Sequence, residues 1–142
     1  MPVEALDTAL ALRRRAVAQA RQHLAASTQA SAASASHARA LERQIEAETE
    51  RASDPGGSDR LVEAFAAWLP GARHAATQAR AAQDRQDAET SRLRAELTAC
   101  RIGLESVEAL IAQRESAREQ ARDRAAQREL DEIAQRRAQC SP

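Results

Sequence analysis

The residues that could do acid–base or metal chemistry are few and widely scattered in this sequence. Its three histidines, His23, His37 and His74, have no second histidine, cysteine or core carboxylate four positions away. A zinc site on a helix needs such a pair of ligands on adjacent turns. Cys100 and Cys140 fit no metal-binding spacing either, and we expect no disulfide between them.

Chemistry that depends on lysine is excluded, because every one of the 21 basic residues is Arg. The chain can therefore hold neither a P-loop lysine nor a Schiff-base lysine. Catalysis also requires a pocket that excludes water, and the hydrophobic fraction of 43% consists mostly of alanine, which leaves few large side chains to enclose one. We therefore predict a non-enzymatic protein with no catalytic residues, no metal and no cofactor.

Charge is balanced along the chain. The 21 basic and 21 acidic residues are equal in number within residues 1–50, 51–96 and 97–142. Because nucleic-acid binding depends on a basic surface, we predict no nucleic-acid partner. One stretch, from Thr8 to Leu41, holds five arginines and no acid. Salt bridges to a second helix are the favoured interpretation of this basic face, and recruitment of an acidic partner is the alternative.

Two long helices must position these residues. Apolar and small side chains recur at the two core positions of a seven-residue repeat over the first fifty residues, which is typical of a coiled coil. These positions include Leu10, Val17, Leu24, Ala38 and Ile45 at one site of the repeat and Leu6, Arg13, Ala20, Ser27 and Leu41 at the other. The pattern predicts helix one over about 3–51.

The segment SDPGGSD predicts a bend at 53–58, in which two glycines would adopt left-handed backbone angles. Helix two is predicted over about 59–139, with a kink at Pro70, where the proline removes a backbone hydrogen bond. Two amphipathic helices joined by a short loop pack antiparallel. The predicted fold class is therefore all-α, a single antiparallel two-helix coiled-coil hairpin over residues 1–142 with a longer C-terminal helix.

This geometry also predicts a register. If the bend is centred near 55–57, residue i faces roughly residue 112 minus i, which leaves about thirty residues of helix two without an intramolecular partner. The only Phe and the only Trp, Phe65 and Trp68, follow the bend within FAAWLPG. They could pack against Leu41 and Ile45. Alternatively, Trp68 and Leu69 could form an exposed apolar patch that docks a partner.

Three segments of helix two carry a resemblance to a known family. They are FAAWLP soon after the bend, RAELTACRIGLESVEALIAQR at 94–114 and RELDEIAQRR at 128–137. In these segments and in its hairpin architecture, nearly the whole chain resembles the flagellar export protein FliJ family and its injectisome relatives, the YscO-type stalk proteins. The resemblance implies a soluble, cytoplasmic and monomeric protein that reaches the inner membrane only through its partners.

The resemblance also implies which partners those are. The end of the hairpin that carries both termini would enter the hexameric export ATPase, and other surfaces would bind the export gate protein and export chaperones. The residues implied for the ATPase ring are Leu130, Asp131, Glu132, Ile133, Arg136 and Arg137, with Arg13, Arg14 and Arg15 beside them. Those implied for the gate or the chaperones are Phe65, Trp68 and Leu69.

Two other classes of function stay open on the residues alone. In the first, weak seams pair between chains to give a homo-oligomeric structural coiled coil or a holdase-like chaperone. In the second, the basic face between Thr8 and Leu41 binds acidic membrane as an adaptor. Light scattering separates the first from a monomeric stalk, and salt-sensitive lipid binding would identify the second.

Overall fold

The computed structural model describes residues 3–140, which form two helices joined by a short bend. Helix α1 spans Val3–Ala52 and helix α2 spans Asp59–Gln139, with Pro70 inside α2. Both helices are rich in Ala, Arg, Glu and Gln, which are strong helix formers. The predicted fold class is confirmed: the protein is all-α, and the two helices pack against each other as a hairpin.

The chain forms two compact units, to which both helices contribute. The bend unit is Val17–Ala99. The terminal unit consists of the described residues before Val17 together with those of α2 from Cys100 onward.

The bend is closed by hydrogen bonds around Asp54. The backbone N–H of Gly57 donates to the Asp54 carbonyl at 2.9 Å, and the N–H of Gly56 donates to the Asp54 carboxylate at 3.0 Å. No residue in the described range has a positive φ, so the prediction of left-handed glycines is wrong. Gly57 serves close approach instead, because a Cβ there would lie 3.1 Å from the Asp54 carbonyl oxygen.

The seam of the bend unit is built mainly from small side chains, as predicted. Its buried residues are Val17, Ala20, Ser27, Ala35 and Ala38 on α1 and Ala76, Ala79, Thr90, Leu93 and Leu97 on α2. Ala38 is completely buried, with an exposed fraction of 0%. Because burying an Ala methyl stabilises by under about 1 kcal/mol, against roughly 1.5–3 for Leu, this seam gains little free energy per residue.

A layer of hydrogen-bonded polar groups interrupts this seam. The Ser27 and Thr90 hydroxyls lie 2.8 Å apart and are both buried. The Gln86 amide donates to the Ser27 hydroxyl at 3.0 Å, and the Thr90 hydroxyl donates to the Gln86 carbonyl at 2.9 Å. One turn along α1, Ser31 donates to the Asp87 carboxylate. Each hydroxyl of the layer therefore has partners that offset the cost of its burial.

The observed register differs from the predicted one. Ser27 was expected to face residue 85, but it faces Thr90, five residues further along α2. Near the bend the predicted register holds, because Gln44 and Glu48 share a groove with Trp68 and Ala64. Leu61 and Val62 in the first turn of α2 remain exposed, at 42% and 49%. The shift toward the C-terminus is found further from the bend, at Ser27 and at Arg14, which pairs with Glu108 rather than with residue 98.

In the terminal unit, α1 packs on α2 as far as residue 118. Leu6 is buried and, with Asp7, shares a groove with Ile111 and Arg118. Arg13, predicted at a core position, is exposed, because a long charged side chain can keep its guanidinium in water beside the seam. Every described residue from Glu115 to Cys140 is exposed.

Candidate partner-binding surfaces

The residues implied for an ATPase ring lie on the exposed last turns of α2. Leu130 and Ile133 are 61% and 49% exposed, and their spacing of three places them on one face of the helix. Asp131 accepts a hydrogen bond from Gln127 at 2.9 Å. Glu132 lies 3.6 Å from Arg136. This segment is a charged helix with one pair of large apolar side chains.

That apolar pair does not continue the seam. Successive residues are about 100° apart around an α-helix, so Leu130 and Ile133 lie roughly 100° around α2 from the side of Ile111 and Arg114. Ile111 and Arg114 line the groove that holds Leu6. The exposed pair therefore offers a contact face separate from the one that α1 uses.

The three N-terminal arginines lie beside an earlier part of α2. Arg14 pairs with Glu108 at 3.5 Å, and both side chains are largely exposed. The Arg13 guanidinium lies over Gly103, 3.2 to 3.6 Å from the position that a Cβ would take. Glu108 precedes Leu130 by 22 residues, or roughly 33 Å along the helix. The structure thus separates Arg13 and Arg14 from the C-terminal residues with which they were grouped, and Arg15 is exposed on the same part of α1.

The aromatic residues lie in the bend unit, where they line an open groove. The Phe65 and Trp68 rings are 6.0 Å apart, tilted by 39°, and half-buried, as is Leu69. The groove has a volume of about 210 Å³. Its lining residues are Gln44, Glu48, Ala52, Leu61, Ala64, Phe65 and Trp68. The expected partners Leu41 and Ile45 are absent from this lining, and Leu41 lines a different groove with His37 and Ala79.

Sequence reasoning missed two features of this surface. The polar rim residues Gln44 and Glu48 were not singled out, although the predicted register places them opposite Trp68 and Ala64. Leu61 and Val62 were not singled out as exposed residues either, although they precede Phe65 by only a few positions. Their large apolar side chains, one turn after a bend, were the signal that could have found them.

The segment around the bend is acidic. Residues 42–63 contain seven carboxylates and three arginines, a net charge of −4, in a chain whose formal net charge is zero. Arg51 donates to Glu48 at 2.8 Å. Asp54 accepts the two hydrogen bonds that close the bend. The region that holds the groove is thus negative, and the remainder of the chain carries the compensating positive charge.

Other ion pairs of the bend unit hold surface side chains in place. Glu42 accepts two hydrogen bonds from Arg80, at 2.6 and 3.0 Å, which raises the pKa of Arg80. Arg92 donates to Glu89 at 2.7 and 2.8 Å, and this hydrogen bonding lowers the pKa of Glu89 below the usual 4.5. All four side chains are at least one-third exposed, so water screens both pairs and they contribute little to stability.

Within residues 3–140, no cluster of three or more His, Cys, Asp or Glu side chains could hold a metal ion. Both cysteines are free, with Cys100 half-buried and Cys140 exposed. No helix in the same range is long and apolar enough to span a membrane.

Comparison with known proteins identifies one family. The family model described as flagellar FliJ protein matches residues 2–141 of this chain. No curated protein and no solved structure matches this chain.

Proposed function

We propose a function from one established premise, which is that the chain belongs to the flagellar FliJ family. This membership makes it a flagellar export-related protein. In our proposal it is a non-enzymatic stalk of the export apparatus. It inserts into the hexameric export ATPase and links that ring to the export gate protein and to export chaperones, at the cytoplasmic face of the inner membrane.

The exposed part of α2 after Arg114 is the observation that carries this proposal. Glu115 to Gln139 form the last part of α2, in which every residue is accessible. Its charges of both signs keep it helical in water through pairs such as Arg136 with Glu132. Leu130 and Ile133 offer an apolar contact that nothing in the described chain covers. A stalk that enters a ring needs such an accessible, self-supporting helix.

Truncation tests this assignment. Deleting residues 128–142 should abolish stimulation of the cognate ATPase. The helix content measured by circular dichroism should fall only by the contribution of the deleted helical residues, 128–139. The double variant Leu130→Ser, Ile133→Ser should lose most of the stimulation as well. Ile102→Ser is the matched control, because Ile102 is 59% exposed on the same helix and lies outside the proposed contact. Stimulation that survives the truncation would place the ATPase contact elsewhere.

The bend surface serves the second half of the proposal. Phe65, Trp68 and Leu69 would bind the gate or a chaperone, and their half-buried position beside an open groove supports this. Pull-down with the gate protein should fail for Trp68→Ala and succeed for Leu130→Ser. Equal binding of the gate protein by both variants would show that Trp68 is not part of the gate-binding surface.

A homo-oligomeric coiled coil is the second candidate. It is supported by the exposure of Leu12 and Ile102, each 59%, in the terminal unit. Multi-angle light scattering decides between the two, because the stalk is expected to be a monomer in solution. A dimer that Leu12→Ser converts to a monomer would favour the oligomer.

A further inference from the structure

We propose that the groove of the bend unit binds a cationic amphipathic helix of a partner protein. One large apolar side chain of that helix would enter the groove, and its basic side chains would face the carboxylates around the bend. The inference rests on the proposed function in one respect, which is that the bend is a partner-binding surface. It adds the chemistry of the occupant.

The groove has the lining that an apolar side chain needs. Phe65 and Trp68 supply two aromatic rings, and Ala64 leaves space between them and α1. The volume of about 210 Å³ is small, so it fits one or two aliphatic side chains rather than a folded surface. Helices dock in such grooves through apolar anchors spaced three or four residues apart. The exposed Val62, next to the lining residue Leu61, extends the apolar contact beyond the groove itself.

The charge around the groove selects the occupant. Glu48 stands in its lining and accepts a hydrogen bond from Arg51, while Glu42 pairs with Arg80. Residues 42–63 together with Arg80 carry a net charge of −3, which is −4 for residues 42–63 and +1 for Arg80. Complementary potentials favour encounter with a basic segment and disfavour an acidic one. The same field disfavours an anionic lipid surface. A helix with an apolar face and lysine or arginine on its polar face satisfies both the groove and the field.

Trp68 provides a direct readout, because it is the only Trp in the chain and it lines the groove. We would titrate the full-length chain with two synthetic amphipathic helices that share one leucine face. One carries lysine and the other glutamate at every polar position. The lysine peptide should shift the Trp68 emission saturably and bind roughly tenfold or more tightly than the glutamate peptide. This preference should shrink as the salt concentration is raised from about 0.05 M to about 0.5 M, since exposed charges are screened.

Two substitutions test the site itself. Glu48→Lys should weaken the lysine peptide several-fold, and Leu61→Ser should weaken both peptides by removing apolar contact. Glu119→Lys is the matched charge control, because Glu119 is an exposed acid of the terminal unit. It should leave binding unchanged. Circular dichroism of each variant checks that the helices remain folded.

Three other outcomes of these experiments would refute the inference. Equal binding of the two peptides, or preference for the glutamate peptide, would refute the cationic occupant. An equal effect of Glu119→Lys and Glu48→Lys would show attraction by overall charge rather than by this groove. No emission change with either peptide would refute the groove as a docking site. The peptide titration contains no ATPase. A negative result in it therefore bears on the groove alone, whereas the ATPase contact is tested separately by the truncation of residues 128–142.

Discussion

The polar layer of the seam gives the sharpest test of how the two helices recognise each other. Ser27 and Thr90 bond to each other at 2.8 Å, and each also bonds to Gln86. We would make Ser27→Ala, Thr90→Val and the double variant. Each single substitution removes the bond between the hydroxyls, and the double variant removes the same bond only once. The two single effects must therefore be coupled.

The expected magnitude follows from the hydrogen-bond partners. A buried neutral hydrogen bond contributes about 0.5–1.5 kcal/mol net, and a buried polar group that loses a partner costs about 1–3 kcal/mol. In each single variant the remaining hydroxyl keeps its hydrogen bond to Gln86. Each single substitution should therefore lower the free energy of unfolding by about 1 kcal/mol, the lower end of the range for a buried group that loses a partner. The double variant should lose about 1 kcal/mol less than the sum of the two. Changes in helix propensity occur equally in the single and double variants, so they cancel in this coupling energy.

Urea unfolding followed by circular dichroism at 222 nm measures these free energies. Equal m-values among the four chains would show that the comparison is sound. Thr28 and Thr98 form the control pair, because their exposed hydroxyls bond only to carbonyls of their own helices, at 2.8 and 3.0 Å. Their substitutions should be additive. A coupling energy below about 0.3 kcal/mol for Ser27 and Thr90 would refute a direct bond between the helices at this layer.

The remaining predictions concern packing, pH and one glycine. Ala38→Leu should destabilise by about 1–3 kcal/mol in urea unfolding, because Ala38 is completely buried, whereas the exposed Ala40→Leu should have little effect. The pKa of the Glu89 carboxyl, measured by NMR titration, should lie below its usual value because Arg92 donates hydrogen bonds to it, and Arg92→Gln should raise this pKa. Because this pKa is lowered by folding, its stabilising effect is present above the unfolded-state pKa and should be lost as the pH falls through the folded-state value. Gly103→Ala should stabilise by about 0.5–1 kcal/mol through helix propensity, because the three atoms nearest the new Cβ belong to the flexible guanidinium end of Arg13, which can move aside.

The fold class could be predicted because its causes are local. Strong helix formers, one Pro-Gly-Gly bend and a seven-residue repeat are enough to specify two helices and the face on which each packs. Val17, Ala20 and Ala38 are buried as that repeat requires. The register could not be predicted in the same way. A seam of Ala and Ser presents nearly the same contacts when one helix slides along the other, so only specific pairs such as Ser27 with Thr90 fix it.

The candidate surfaces were predicted to the extent that they depend on one helix alone. Leu130 and Ile133 are exposed because α1 has already ended, and their spacing is a property of α2. The groove at the bend depends on both helices, and its rim residues Gln44 and Glu48 follow from the predicted register, which places them opposite Trp68 and Ala64. The position of Arg14 beside Glu108 could not be predicted, because the register is shifted in that part of the hairpin.

The alanine-rich seam also determines how this protein responds to temperature. Heat capacity rises on unfolding in proportion to the apolar surface that water gains. Buried methyl groups such as those of Ala35, Ala38, Ala76 and Ala79 expose little of it. The stability curve of the bend unit should therefore be shallow, changing slowly with temperature and resisting cold denaturation, although its maximum is low.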